Sequence, residues 1–432
     1  MPKRSYIISI AILAFMYFVF GFVSWINAIL IPYFKIACEL TNFQAYLVTF
    51  AFYIAYLVMS MPGGMLLKKV GFKRGIMYGF FLLALGALIF VPAALTRTYG
   101  IFLAGLFTMG TGLAILQTAA NPYVTIIGPI DRTVQRMSIM GVFNKSAGII
   151  APLAFAAFAL KATDSALFEA LPSMTEAARS IALDELVRRV ILPYSCMGVL
   201  LIGVGLFIRY SVLPEINTEE ESEELASAHT GKTSIFQFPY LVLGALALFL
   251  HVGTQVIAID TIIGYANSMG LDLLQAKDFP SFTLTATIVG YTIGITCIPR
   301  FINQTNVLKI CTITGLIFSC CILLMPGHMM FRGQGISISI WFVVLLGLPN
   351  ALIYAGIWPL AIRNLGRFTK TGSSLMVMGL AGNALLPLLY GSQIDRIGER
   401  NAYWVLLPCF IYLIFYAVYG HKITSWTKQK KQ

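Results

Sequence analysis

Charged residues are scarce in this sequence. Only 11% of its 432 residues are Asp, Glu, Lys or Arg, whereas soluble domains carry about 25%. Hydrophobic residues make up 58% of the chain, which is more apolar surface than a soluble protein can keep out of water. The composition excludes a set of soluble domains and predicts an integral membrane protein.

Signatures of enzymes and cofactor sites are also lacking. The seven cysteines show no CxxC spacing and have no histidine pairs beside them, so neither a disulfide framework nor a metal site is predicted. HTGKTS at 229–234 has Ala226 where a phosphate-binding loop needs its first glycine. The sequence also lacks HExxH and nucleophile-elbow patterns. We therefore expect no enzyme and no resident cofactor.

The chain has twelve long apolar stretches instead. A bilayer core of about 30 Å needs roughly 20 apolar residues per helix, and a backbone in lipid must satisfy its own hydrogen bonds. The sequence predicts an all-α membrane protein with twelve transmembrane helices. These spans 1 to 12 are predicted at 7–34, 43–67, 75–95, 99–127, 138–160, 191–213, 237–268, 278–302, 306–326, 335–362, 373–393 and 401–421.

The basic residues set the expected orientation. With the N-terminus inside, nineteen of the 30 Lys and Arg residues fall in inner segments, ten fall in outer segments, and Lys145 lies within span 5. This bias predicts that both termini are cytoplasmic. The basic residues are scattered over short loops, so the net charge of +12 does not indicate nucleic-acid binding. We expect a monomer in contact with lipid.

Two long connections divide the sequence. Residues 1–213 are predicted to form an N-terminal six-helix bundle and residues 237–432 a C-terminal one, joined by an acidic cytoplasmic linker at 214–236. The outer connection at 161–190 contains a short amphipathic helix, with Ile181 on its apolar face. We expect this helix to lie at the membrane surface over the outer mouth.

The two halves of the chain repeat each other. Asn-Pro at 121–122 in span 4 is matched by Trp-Pro at 358–359 in span 10, an offset of 237. Met-Gly at 140–141 is matched by Met-Gly at 378–379, an offset of 238. The prolines predict interrupted helices. Duplicated units with interrupted helices are typical of secondary transporters, which bind substrate at the midplane between the repeats.

Polar side chains share one face of span 4. Gln117 and Asn121 lie one turn apart and align with Gly110, Ala114 and Thr125. Such a stripe can join helices, since small residues and amides mediate packing in membranes. Two amides beside a proline favour the alternative, a face that contacts a ligand.

Span 10 carries a complementary face. Asn350, Tyr354 and Trp358 recur every four residues, and an aromatic pair beside an amide suits a sugar, which has C–H faces to stack and hydroxyls to bond. An interfacial aromatic belt is the alternative. Further amides at similar depth are Asn144, Gln255 and Asn383. Together these residues predict a site for a neutral polyhydroxyl ligand.

Asp260 is the one acidic residue well inside an apolar stretch, HVGTQVIAIDTIIGY in span 7. An intramembrane carboxylate is a functional candidate, here for coupling transport to an ion. Asp260 lies in the outer third of the span, so solvation at the mouth is an open alternative. His251 and Gln255, one turn apart near mid-span, form the alternative pair.

Three segments resemble the sugar-permease family of the major facilitator superfamily, which takes up fucose, galactose and glucose by symport. They are QTAANPYVTIIGP at 117–129, FNKSAGIIAP at 143–152 and IRNLGRFTKTGSSLMVMG at 362–379. The resemblance extends over essentially the whole chain. It implies two six-helix bundles, a central sugar site, alternating access and a bacterial inner-membrane location.

The sequence departs from this family at the proton-carrying pair. Fucose-type symporters have an aspartate in span 1 and a glutamate in span 4, and the matching residues here are Ala28 and Gln117. The family's asparagine in span 5 and tyrosine in span 10 are retained as Asn144 and Tyr354. Asp260 acting in coupling, sodium replacing the proton, and facilitated diffusion all stay open.

We therefore expect a permease that imports a neutral hexose, coupled to a proton or a sodium ion. The substrate would contact Gln117, Asn121, Asn144, Gln255, Asn350, Tyr354, Trp358 and Asn383, with Lys145 at a gate or a ring oxygen. The alternatives are facilitated diffusion and transport of an N-acetylhexosamine. A drug exporter fits the amide-rich lining poorly, and a non-transporting sugar sensor lacks room for an output domain in the short C-terminal tail.

Overall fold

The computed structural model describes residues 3–127, 133–161, 163–211, 213, 233–298, 301–365 and 368–426, most of them helical. The helices of spans 1 to 6 are Lys3–Trp25 with Asn27–Ala37, Asn42–Val70, Phe72–Thr96, Tyr99–Ile126, Thr133–Ala159 and Ile191–Tyr210. Those of spans 7 to 12 are Pro239–Asp260 with Ile262–Asn267, Phe279–Cys297, Gln304–Leu324, Ser339–Leu345 with Gly347–Ile362, Thr369–Met378 with Gly382–Ala402, and Leu406–Val418. The predicted all-α architecture of twelve spans is confirmed.

Hydropathy explains why these segments span. Within the described residues, ten stretches are long and apolar enough to cross a membrane, and one of them, 374–422, contains both span 11 and span 12. Span 8 falls outside these ten because threonines interrupt its apolar run in FTLTATIVGYTIGITC. It packs on spans 5 and 10.

The spans form two bundles. Spans 1 to 6 (the N bundle) pack through span 3 on spans 4 and 6, span 2 on span 4, and span 1 on span 5. Spans 7 to 12 (the C bundle) pack through span 7 on spans 10, 11 and 12, and span 8 on span 10. Between the bundles, span 2 packs on span 11 and span 5 on span 8. Spans 2 and 8 are counterparts in the two halves, and so are spans 5 and 11. The contact between spans 2 and 11 is therefore the counterpart of the contact between spans 8 and 5, as expected for a duplicated unit. Most of the predicted linker, 214–232, lies outside the described residues.

The helices break at places that the prolines did not predict. Span 4 runs unbroken through residues 121–122, and Pro359 lies inside a continuous helix. A proline removes one backbone bond, which neighbours in a membrane bundle can replace. The breaks lie at Ile26 in span 1, Thr261 in span 7 and Leu346 in span 10, with a 3₁₀ turn, Gly379–Ala381, in span 11.

Short elements cover the end of the bundle away from the termini, called here the far end. They include the helices Asp164–Ala170, Glu176–Arg188 and Leu273–Ala276, and the antiparallel strands β1 (His328–Phe331) and β2 (Gln334–Ser337). The predicted outer helix is present, but Ile181 is exposed. Its buried residues are Leu183, Leu186 and Val187, because the helix docks on the N bundle along that face.

Candidate functional site

A cavity of about 160 Å³ lies between the two bundles. Spans 1, 2, 4 and 5 line it on one side and spans 7, 8, 10 and 11 on the other. One water needs about 10–15 Å³ by the same measure, so the cavity has room for a small organic molecule. Six of the predicted ligand residues line it: Gln117, Asn121, Asn144, Gln255, Tyr354 and Asn383.

Asn144 ties span 5 to span 1. Its Oδ1 accepts a hydrogen bond from the indole Nε1 of Trp25 at 3.0 Å, and its Nδ2 donates to the backbone carbonyl of Tyr17 at 3.2 Å. Both ends of the amide are therefore engaged by the protein. Asn144 holds Trp25, which also lines the cavity, against the N bundle.

The two amides of span 4 hold tyrosines in the same way. Gln117 donates from Nε2 to the phenol oxygen of Tyr56 at 2.8 Å, and the Tyr17 hydroxyl donates to Oδ1 of Asn121. Both tyrosines line the cavity. On the N-bundle side, aromatic rings line the cavity, and neighbouring amides hold these rings in place by hydrogen bonds.

The wall of the C bundle differs. The side-chain oxygen of Asn383 is shielded from solvent and has no hydrogen-bond partner among the described residues. The phenol of Tyr354 faces the cavity, and its ring stacks on Trp358 with the centroids 5.7 Å apart and the planes 17° from parallel. This wall combines an aromatic surface with a free hydrogen-bond acceptor.

Two predicted ligand residues of span 10 lie away from the cavity. Trp358 is not among the residues that line it and stacks instead on the ring of Tyr354, which does. Asn350 is 1% exposed, and neither end of its amide has a partner among the described residues. Span 10 is buried on several sides, so a shared helical face does not ensure a shared cavity.

Asp260 lies beyond the cavity toward the far end. It is 1% exposed, so the alternative of a solvated residue at the mouth is wrong: span 2 packs over it from the N bundle. Thr49 donates to Oδ2 at 3.4 Å, whereas Oδ1 has no partner among the described residues. Tyr53 lies one turn from Thr49 on span 2 and lines the cavity. Asp260 therefore does not line the cavity, but it contacts a residue one turn away from a lining residue.

Lys145 is the one charged side chain among the described residues that line the cavity. It is 5% exposed, and its Nζ lies 3.7 Å from the centroid of the Trp25 ring. It donates to Oε1 of Gln255 at 3.2 Å. Because Lys145 belongs to the N bundle and Gln255 to the C bundle, this bond crosses the cavity.

Sequence reasoning missed the aromatic part of the lining. Tyrosines and a tryptophan that it did not single out are Tyr17, Trp25, Tyr53, Tyr56 and Tyr291. In a bilayer, aromatic residues within a span are ordinary core residues, so composition does not distinguish them. The available signal was the spacing of Thr49, Tyr53 and Tyr56, which places three polar-tipped residues on one stripe of span 2.

Contacts between the bundles close the far end. The ring of Tyr46 packs edge-on against Tyr390, with centroids 5.8 Å apart. A Cβ on Gly391 would come within 2.2 Å of the Tyr46 ring, so only glycine allows this approach. Asn42 donates to the carboxylate of Asp395, and Ser165 donates to Asp272 at 2.5 Å. These contacts hold the two bundles together on the far side of the cavity.

Comparison with known proteins agrees with this architecture. Residues 13–382 match the sequence model of the Major Facilitator Superfamily. The glucose/galactose transporter of Brucella abortus biovar 1 (strain 9-941) is 30% identical over 97% of this chain and 96% of its own. The L-fucose-proton symporter of Escherichia coli (strain K12) is 31% identical over 96% and 93%.

Solved structures of known transporters have the same fold. The crystal structure of FucP, a major facilitator transporter, in the outward conformation has a TM-score of 0.72 and 28% identity, over 96% of this chain and 99% of that one. A bacterial homolog of the human lysosomal transporter Spinster, at 16% identity and a TM-score of 0.62, shares the fold. The chain belongs to the Major Facilitator Superfamily and, within it, to the family of these sugar permeases.

Proposed function

We propose that this protein imports a neutral hexose of the glucose, galactose and fucose class by alternating access. It would do so across the bacterial inner membrane with both termini in the cytoplasm. The far end then faces outward, and the structure corresponds to a carrier whose outer gate is closed by Tyr46, Tyr390 and Gly391.

The composition of the cavity carries this proposal. Its described lining combines aromatic faces with amides and contains no carboxylate. Aromatic rings pack against the C–H faces of a sugar, and amides offer both donors and acceptors to its hydroxyls. The names of the Brucella and Escherichia relatives support the same substrate class.

Asp260 is the proposed coupling group. Ala28 and Gln117 have no carboxyl group, so neither can take up a proton or pair with a sodium ion as a carboxylate would. Asp260 is a buried carboxylate that contacts the other bundle through Thr49. A proton or sodium ion that neutralises it would change the contact between the bundles, as a coupled carrier requires.

Uptake by proteoliposomes tests both parts. Labelled D-glucose, D-galactose and L-fucose would be supplied under imposed proton or sodium gradients to the parent and to Asp260→Asn. We expect the parent to accumulate at least one sugar and the variant only to equilibrate it. Absence of uptake of all three sugars by the parent would refute the substrate class.

Facilitated diffusion is the second candidate, favoured by the absence of carboxylates at Ala28 and Gln117. It predicts that the parent equilibrates sugar but never accumulates it under either gradient. Equal accumulation by the parent and Asp260→Asn would instead place coupling at another residue.

A further inference from the structure

Lys145 is held in an unusual way for a buried cation. Charged side chains within a membrane are costly and normally pair with one another. The ammonium of Lys145 instead contacts a ring face of Trp25 and a neutral amide oxygen of Gln255. No carboxylate lies within ion-pair distance of it among the described residues.

Asp260 is a buried carboxylate that, like Lys145, has no ion-pair partner among the described residues. It belongs to the C bundle, and its Oδ1 has no partner among the described residues. Lys145 reaches this span at Gln255, to which it donates at 3.2 Å; Gln255 lies five residues before Asp260 and one turn after His251 on the same helix. On span 2, the titratable residues Tyr46 and Tyr53 lie within one turn of the threonine that donates to Asp260. Lys145, the one charged side chain of the described cavity lining, thus reaches from the N bundle to the helix that carries this carboxylate.

Resting on the function proposed above, we infer that Lys145 is the movable counter-charge of Asp260 and links cation binding to sugar binding. When Asp260 is ionised and has no bound cation, Lys145 pairs with it across the seam and leaves the cavity. When a proton or sodium ion neutralises Asp260, Lys145 turns to Trp25 and Gln255, the position seen here, and donates to a sugar hydroxyl.

The coupling between the cation and the sugar has the direction that a symporter needs, because each favours binding of the other. The cation on Asp260 releases Lys145 for the sugar, so the cation raises sugar affinity. By reciprocity the sugar raises cation affinity by the same factor. Lys145 therefore acts on coupling as a positioning residue for Asp260, in addition to contacting the substrate.

Equilibrium binding separates this inference from a merely structural role. The dissociation constant of the labelled hexose that the parent carries would be measured in detergent across pH and across sodium concentration. In the parent we expect about tenfold tighter binding at low pH or at high sodium. In Asp260→Asn binding should be tight under all conditions, because Lys145 is always released. In Lys145→Met it should be weak under all conditions.

The double variant and a control complete the design. Lys145→Met combined with Asp260→Asn should bind as weakly as Lys145→Met alone, and Lys145→Arg should retain the cation dependence. The control is Lys161→Met with Glu185→Gln, an exposed ion pair at 3.3 Å, which should bind as the parent does.

Two results would overturn the inference while the proposed function stands. One is a parent that carries hexose with an affinity independent of pH and sodium. The other is Asp260→Asn binding as weakly as the cation-free parent. If Lys145→Met does not fold, Lys145→Gln takes its place, and binding that still tightens at low pH or at high sodium in that variant would overturn the inference. A parent that binds no hexose would remove the proposed function itself.

Discussion

The two walls of the cavity use polar residues differently. On the N bundle, Asn144 bonds Trp25 and the backbone of span 1 through both ends of its amide, and Gln117 donates from Nε2 to Tyr56. On the C bundle, the Asn383 side-chain oxygen has no partner among the described residues. A buried acceptor left without a bond costs about 1–3 kcal/mol, and one that lines the cavity recovers this cost when it bonds a substrate hydroxyl.

This difference separates two roles that amides in a membrane can have. Those of the N bundle fix the orientation of aromatic rings, which gives the sugar a rigid stacking surface. On the C bundle, Asn383 is available to bond the sugar, whereas Gln255 accepts a hydrogen bond from Lys145. A carrier built in this way would recognise the faces of its substrate on one side and the hydroxyls on the other.

Asn144→Leu should have the largest effect. It leaves the Trp25 indole without its partner and removes the additional bond to the Tyr17 carbonyl, so the free energy of unfolding should fall by about 2 kcal/mol or more, and uptake should be nearly lost. Thermal unfolding in detergent and proteoliposome uptake measure this, with Asn401→Leu, an exposed amide, as the control. An unchanged Tm with a raised KM would assign Asn144 to the sugar instead.

Asn383→Leu should affect binding and leave the fold intact. Loss of one hydrogen bond to the sugar predicts about tenfold weaker affinity, and the Tm should stay level or rise because a buried acceptor is removed. Hexose binding and thermal unfolding of the same sample check both. A lower Tm with unchanged affinity would mean that Asn383 stabilises the fold, as the amides of the N bundle do, and does not bind the sugar.

Trp358→Ala should have a moderate effect through Tyr354. An aromatic pair contributes about 0.5–1.5 kcal/mol beyond burial, so a loosened Tyr354 predicts a KM about fivefold higher. Trp358→Phe should restore most of the affinity, since it keeps a stacked ring. Complete loss of uptake in both variants would show that the indole itself meets the sugar.

Asn350→Leu should have the smallest effect on transport. Its amide lies outside the cavity with no partner among the described residues, so its removal should raise stability by about 1 kcal/mol while KM changes less than about twofold. Thermal unfolding and uptake test this. A large loss of affinity would mean that Asn350 reaches the sugar in another conformation of the carrier.

The candidate site could be predicted in part. Amides in an apolar span are visible in sequence, and six predicted residues came together in the cavity. Aromatic lining residues such as Tyr56 are not visible in this way, because they resemble core. The placement of Trp358 behind Tyr354 could not be read from helical spacing, since a helix buried on several sides has more than one inward face.

Hydropathy and repeat spacing are properties of the chain that packing does not alter, so twelve spans in two repeated halves could be read from the amino-acid order alone. Three facts required the packed structure: which amides are already bonded, that Asp260 is buried outside the cavity lining, and that Lys145 reaches the Asp260 helix from the other bundle. Those facts depend on which helix lies opposite each side chain, and the packing of two bundles against each other sets that relation.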